Sequence, residues 1–337
     1  MLPSGNIPLA TTGTAPAPTF ISTLTPTVGI APVRPTVAKQ TRINLAWQIA
    51  LDAANFSPGV IDGKFGPKSK QALAEYTARY FPAGTSGFDK KVYEALKVDV
   101  DNAAILYTIT SEDAAQVGPL PEDWNEKAKL DRLAYESLYD LVAEKFRCSK
   151  SLIASLNSTQ NMAALRVGSS VIVPNVTPFL GTAAAKAARP DSMDADYIAI
   201  NLTEKAIRVY DKQGRQMALF DCSVAKEKAK LPAADTTVTR MVPNPQYGFD
   251  PKHWPEVTNV TQPLTIPPGP RNPVGVVWMQ LGLPGYGMHG NPKPELIGKT
   301  GSHGCFRLTN WDAVTLYTFA RPGMTVKIIN PERPETP

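Results

Sequence analysis

Residues 298–313, "GKTGSHGCFRLTNWDA", set a histidine and a cysteine two positions apart between glycines, directly ahead of a segment patterned as a helix. Cys305 admits three readings: a nucleophile, a metal ligand, or a small buried hydrophobe beside a histidine. The residues that follow predict a helix with Thr309 or Asn310 as N-cap and Asp312 in its first turn. Ala313, Leu316, Tyr317 and Ala320 fall on one buried face, and Pro322-Gly323 stops the segment. A thiol held between a strand and such a helix is rigidly mounted, which a nucleophile requires.

The chain contains three histidines, and two of them, His289 and His303, lie within 16 residues of Cys305. The third, His253, has no motif around it. A free thiol with a pKa near ~8.5 is only slightly ionised at neutral pH, so attack on a carbonyl calls for a neighbouring base. A histidine serves if its second ring nitrogen is held by an acceptor, and Gly290 offers a carbonyl uncrowded by a side chain. Gly304 lets a substrate carbonyl approach the backbone closely, so that the amides of 303–305 could form an oxyanion hole. His289, His303 and Cys305 could instead hold zinc. No C-x-x-C pair, H-E-x-x-H helix or suitably spaced carboxylate accompanies them, so no metal and no cofactor is expected. An inert core thiol is poorly served by Ser, Gly and His neighbours. Arg307 either binds a substrate carboxylate or makes a structural salt bridge. Trp278 and Tyr286 either wall a cleft or fill the core.

These residues carry a family resemblance. "MHGNPKPELIGKTGSHGCFRLTNWDA" (288–313), with H-G, a loop and S-H-G-C-x-R-L, is similar to the active-site signature of the L,D-transpeptidases. "TIPPGPRNPVGVVWMQLGLPGYGMHG" (265–290) resembles the strand and approach loop of the same family. The likeness covers residues 193–331. It implies a YkuD-like, mainly-β catalytic domain of β-sandwich-like sheets with a short helix after the cysteine motif. By position it implies Cys305 as nucleophile and His289 as general base oriented by the Gly290 carbonyl, with His303 as the alternative base. Ser302 and Gly304 would shape the oxyanion environment, and Arg307, Tyr286 and Trp278 would contact substrate.

The implied reaction is acyl transfer on peptidoglycan. Cys305 takes the acyl group of a tetrapeptide stem and expels its terminal D-alanine, and the side-chain amine of a second stem resolves the thioester into a 3-3 cross-link. Carbapenem β-lactams would acylate the same thiol. Water as acceptor would make the site an L,D-carboxypeptidase, and a lipoprotein amine would make it a wall-anchoring transferase. A non-catalytic wall-binding protein with a decayed cysteine domain is a different class, opposed by the intact H-G and S-H-G-C.

Two modules are expected ahead of that domain. In residues 38–98, apolar positions Leu45, Ile49, Ala53 and Phe56 recur at helical spacing, and Gly66-Pro67 opens a second helix with Leu73, Tyr76 and Tyr80 on one face. Between them lies an Asp62-Gly63 turn plugged by Phe65. "IDGKFGPKSKQALAEY" (61–76) resembles the peptidoglycan-binding helical repeat, which makes this a small all-α domain. Residues 103–176 read as β-α-α-β and resemble a glycan-binding LysM domain, an α+β fold. The carrying residues include Leu138, Phe146, Leu152, Asn157, Val171 and Pro174. About two dozen residues, "EDAAQVGPLPEDWNEKAKLDRLAY" (112–135), stand where the family has a short connection. From Tyr197 the chain alternates as a β-meander, and prolines crowding 243–273 predict loops around short strands.

The Pro/Thr-rich residues 1–37 and the Ala/Pro-rich residues 177–192 read as linkers, which makes the catalytic domain a separable unit. Residues 1–33 carry no charge, so neither an export signal nor a spanning helix is expected there. The envelope outside the cytoplasm, periplasm or cell wall, is the expected location. The chain is 43% hydrophobic with a formal charge of +5 spread thinly, which suits a globular monomer and argues against nucleic-acid binding. Three widely spaced cysteines exclude a disulfide scaffold.

Overall fold

A computed structural model of the chain describes residues 31–188, 194–254, 256–302 and 304–330; the first 30 residues of the expected linker lie outside them. The next residues are not linker. Ala31–Pro32 (β1) pairs antiparallel with Ala104–Thr108 (β2), because an edge strand tolerates proline and the exposed flank of β2 offers a partner.

Three helices follow: Lys39–Ala53 (α1), Pro67–Tyr80 (α2) and Lys90–Ala95 (α3). The turn between the first two is organised by the buried Gln48. Its Oε1 accepts the Gly63 amide at 2.9 Å, and its Nε2 donates to Asp62 Oδ1 at 3.0 Å. Gly63 has φ +71°, a left-handed conformation that glycine adopts without strain. Phe65 packs edge-on against Trp47, as a plug between the helices should.

After β2 come Ser111–Ala114 (α4), Trp124–Ala128 (α5), Leu138–Lys145 (α6) and Lys150–Leu156 (α7). Ser170–Pro174 (β3) then returns antiparallel to β2. Asn157 ties the end of α7 to that strand: its Nδ2 donates to the Ile172 carbonyl and its Oδ1 accepts the Ile172 amide, both at 2.8 Å. The connector at 177–192 is not wholly linker either. Thr182–Ala187 (α8), an alanine-rich helix former, buries Ala185 in the core of the following domain, and Phe179 joins it there.

That domain is built on Ala195–Asn201 (β4), Ala206–Asp211 (β5), Gln216–Asp221 (β6) and Thr236–Pro243 (β7). A detached hairpin follows, Tyr247–Phe249 (β8) with Leu264–Ile266 (β9). Val277–Leu281 (β10), Gly287–His289 (β11), Phe306–Arg307 (β12), the helix Asn310–Phe319 (α9) and Thr325–Ile329 (β13) complete it. Instead of two sandwiched sheets there is one eight-stranded mixed sheet, ordered β12-β11-β10-β7-β13-β4-β5-β6. It curls until its ends meet. Ser223, just beyond β6, donates its amide to the Arg307 carbonyl at 2.8 Å and accepts the Arg307 amide at 3.1 Å. Twist in one long sheet thereby does what a second sheet would do, enclosing the apolar side chains and α9.

The front half is packed onto this sheet rather than hung from it. Residues 55–57 add to the edge strand β6: Leu219 N donates to the Asn55 carbonyl and Ser57 N to the Leu219 carbonyl, each at 2.9 Å. Phe56, fully buried, shares a core with Leu219 and Ala206 of the catalytic sheet. Arg208 on β5 grips Glu75 on α2 with two bonds of 2.6 and 2.9 Å. The front half and this domain therefore share an interface in which the edge of β6 and an apolar patch of the sheet are covered. Among the described residues no helix is long and apolar enough to cross a membrane.

Candidate active site

Three adjacent strands bring the motif residues together. β11 runs antiparallel to β10 with His289 opposite Trp278, and parallel to β12 with His289 opposite Arg307. The Trp278 ring lies nearly parallel to the imidazole, centroids 5.4 Å apart. Gly287 makes this possible, because a Cβ there would come within 2.6 Å of the indole. The order of α9 follows its sequence: Thr309 is the N-cap, its Oγ1 accepting the Asp312 amide at 3.1 Å, and Ala313, Leu316, Tyr317 and Ala320 are all buried.

His289 is 3% exposed, and its Nδ1 lies 2.6 Å from the Gly290 carbonyl oxygen. A carbonyl only accepts, so Nδ1 carries the proton and Nε2 keeps its lone pair. Burial pulls the imidazole pKa down to about 4, opposed by the Gly290 carbonyl and reinforced by the Arg307 charge. The ring is neutral at physiological pH. Gly290 is itself confined, since an added Cβ would sit 2.2 Å from Asn310 Oδ1.

Cys305 is the half-buried thiol of the three; Cys148 and Cys222 are buried, and burial pushes Cys222 up to about 12. Cys305 Sγ donates to the Gly285 carbonyl at 3.4 Å. Burial raises its pKa, while the Gly287 amide and the Arg307 guanidinium favour the thiolate. Thiol and imidazole are thus both neutral at rest, lodged against one stretch of chain, 285–289.

Ser302 locks the turn before the cysteine. Its Oγ donates to the Cys305 carbonyl at 2.5 Å and accepts the Gly304 amide at 3.2 Å. Both groups are engaged inside the turn, so they set its shape rather than point a free donor outward. The Gly304 position is open toward the Tyr286 ring, which a Cβ would approach at 3.7 Å, and the Tyr286 hydroxyl donates to the Lys230 carbonyl at 2.9 Å. Arg307 Nη1 donates to the Gly301 carbonyl at 3.4 Å, and among the described residues no carboxylate pairs with it. His303 lies outside the described residues. Among those described, no cluster of His, Cys, Asp or Glu is arranged to hold a metal.

Several contributors are absent from the motif. Gly285 and Gly287 contact the thiol through their backbone, which no side-chain pattern announces. Tyr247, from the proline-rich stretch, has its hydroxyl pKa raised by burial; a Cys305 thiolate would raise it further and Arg307 lowers it. Glu144 on α6, 2% exposed, accepts Asn310 Nδ2 at 2.8 Å and Arg271 Nη1 at 3.0 Å, and so supports the residue that closes over Gly290.

A profile of the YkuD L,D-transpeptidase catalytic domain matches residues 195–328. The chain is 24% identical over 187 residues to a Bacillus licheniformis protein named as an L,D-transpeptidase, YkuD, covering 56% of this chain and 90% of that one. It is 29% identical over 144 residues to YbiS of Escherichia coli K12, also named as an L,D-transpeptidase, covering 42% of this chain and 46% of the relative. The ertapenem-acylated catalytic domain of an Enterococcus faecium L,D-transpeptidase aligns with a TM-score of 0.31 and 20% identity, over 41% of this chain and 98% of that domain. The chain spans only half, 50%, of a larger E. faecium L,D-transpeptidase structure, at 18% identity and a TM-score of 0.31. Residues 195–328, which hold His289, Cys305 and Arg307, are a YkuD L,D-transpeptidase catalytic domain.

Proposed function

We propose that the chain is a peptidoglycan L,D-transpeptidase that forms 3-3 cross-links through a thioester on Cys305. The observation that carries this reading is the seating of the thiol on the Gly285 carbonyl, two residues ahead of the strand Gly287–His289, whose last residue commits its Nδ1 to Gly290. A neutral thiol served by a neutral imidazole would lose its proton in step with attack rather than from a standing ion pair. Cys305 Sγ bonds to the carbonyl carbon of the third stem residue, and its proton passes to His289 Nε2. The same proton then goes to the amine of the departing D-alanine as the C–N bond breaks. In the second step a stem amine attacks the thioester carbonyl and gives its proton to His289 Nε2, and as the C–S bond breaks that proton passes to Cys305 Sγ, restoring the thiol beside the new amide.

Ser302 and Gly304 would shape the oxyanion environment by fixing the turn, leaving the Cys305 amide to face the oxyanion, and Arg307, which pairs with no carboxylate among the described residues, would bind a stem carboxylate. Tyr286 and Trp278 would flank the donor. His303 remains the alternative base on sequence grounds. No metal or cofactor takes part in this scheme, and a β-lactam, as a strained acyl donor, would arrest it at the acyl-enzyme.

The front modules are read as peptidoglycan binders that hold the monomer on stems and glycan strands outside the cytoplasm. Incubation with disaccharide-tetrapeptides and mass spectrometry of the products tests the reading. Dimers that have lost one D-alanine and carry a 3-3 bond are expected. Tripeptides alone would make the enzyme an L,D-carboxypeptidase, products joined only to an added lipoprotein would make it an anchoring transferase, and no product would leave a wall-binding protein.

A further inference from the structure

The two dozen residues that interrupt the LysM-like pattern do not form a free loop. They fold back onto the proline-rich stretch of the catalytic domain and build a third small core. Leu133, Phe249, Val260 and Ile266 are its buried centre, with Trp124 and Trp254 packed against it. Trp124 stacks on Phe249 with centroids 4.4 Å apart and planes 24° apart, and reaches Tyr247 at 6.2 Å. The backbone is stitched as well: Leu133 N donates to the Pro268 carbonyl at 2.8 Å, and Arg271 N to the Leu133 carbonyl at 3.3 Å. Gly269, at φ +142°, allows this approach, because a Cβ there would fall 2.2 Å from the Leu133 oxygen. Asn125 Nδ2 adds a bond to the Asn259 carbonyl at 3.3 Å, and Asn259 donates back to Asp123.

The partner of this segment is the β8–β9 hairpin, which belongs to neither larger sheet. A lone two-stranded hairpin is marginal in water and needs a packed face to hold one conformation. The face is supplied by α5 and Leu133, against which the first hairpin residue, Tyr247, also packs. The chain leaving the hairpin also meets the site, since the Pro270 carbonyl accepts Asn310 Nδ2 at 3.2 Å and Asn310 closes over Gly290.

We infer that residues 112–135 brace the β8–β9 hairpin over the Cys305 cleft, and that Trp124, acting through Phe249 and Tyr247, is a positioning residue for the acyl donor. The positioning role rests on the acyl-transfer reading above; the brace does not. Loosening the hairpin leaves the thiol and His289 in place but removes a wall against which the donor is held, so binding suffers before chemistry does.

The test uses the full chain with Trp124→Ala and Trp124→Phe. Iodoacetamide labelling of Cys305, followed by peptide mass mapping, reads access to the thiol without reference to function. Stopped-flow carbapenem acylation separates the half-saturation concentration from the limiting rate. Trp124→Ala should speed alkylation about fivefold and raise half-saturation about tenfold, with the limiting rate within about threefold, while Trp124→Phe restores both. Should Trp124→Ala fail to fold, Asn259→Ala, which removes one surface bond to Asp123, should still raise both values at least about twofold. Unchanged alkylation and half-saturation in a folded variant would overturn the brace. Changed alkylation with unchanged half-saturation would overturn the positioning role. A wild-type chain that no carbapenem acylates would refute the acyl-transfer reading, and the alkylation arm would still decide the brace.

Discussion

Replacing Glu144 by alanine tests whether the front half is structurally part of the catalytic unit. Glu144 belongs to α6, yet its carboxylate is spent on Asn310 and Arg271, two buried groups of the catalytic domain. Removing one member of a buried charged pair typically costs ~3–5 kcal/mol, because the other is left desolvated and unpaired. Here the lower end applies. Arg271 keeps the Pro292 carbonyl at 2.7 Å and Asp140 at 3.6 Å, and Asn310 keeps the Pro270 carbonyl at 3.2 Å. A loss of about 3 kcal/mol, at ~2–4 °C per kcal/mol for a chain of this size class, lowers Tm by roughly 6–12 °C. Glu144→Gln keeps an acceptor for Asn310 and should lose less than half of that. Because Asn310 closes over Gly290, whose carbonyl holds His289, acylation of Cys305 should slow in the alanine variant even well below its Tm. Calorimetry and carbapenem acylation read the two effects. A Tm within about 1–2 °C of wild type, or two transitions with the catalytic one unmoved, would refute the coupling.

Other expectations follow from the same geometry. Deleting residues 1–180 strips the cover from β6 and the partner of Asn310, so the remainder should melt earlier and acylate poorly; full acylation by a folded fragment would restore the separable domain that the connector suggests. The base form of His289 is required and its pKa is about 4, so the acylation rate should fall as pH drops through 4 and be flat from about pH 5.5 to neutrality. His289→Ala should cost ~10²–10⁴-fold, more than His303→Ala, as measured by single-turnover acylation. Asp312, fully enclosed near Asp52 and Asp221, is raised by burial to about 8, so it is protonated in the fold but ionised in the unfolded chain above about pH 4. That contribution is complete at low pH and is lost as pH rises toward 8. Asp312→Asn should therefore gain on wild type in denaturant midpoint across that interval and hold a constant lead above it.

Local chemistry made much of this legible. The Asp62-Gly63 turn, the Gly66-Pro67 helix start, the Thr309 cap and the meander 197–221 each rest on neighbours in sequence, so periodicity and turn residues reveal them. The cysteine motif is equally local, with His289 and Arg307 on adjacent strands and Cys305 just ahead of the second. What the sequence concealed is long-range. The pairing of residues 55–57 with β6, the meeting of Ser223 with Arg307, and Glu144 beneath Asn310 join residues far apart in the chain, and none disturbs the local pattern of either partner. The insertion at 112–135 was visible only as a departure from a pattern. That its tryptophan covers a hairpin more than a hundred residues later depends on how the modules dock.

Mapping of the carbapenem adduct tests the central claim most directly. Intact mass should show one acyl group on the wild-type chain, peptide mapping should place it on Cys305, and Cys305→Ala should remain unmodified while Cys148→Ala and Cys222→Ala acylate normally. An adduct on the Cys305→Ala protein, or one mapped to another residue of the wild type, would contradict the account.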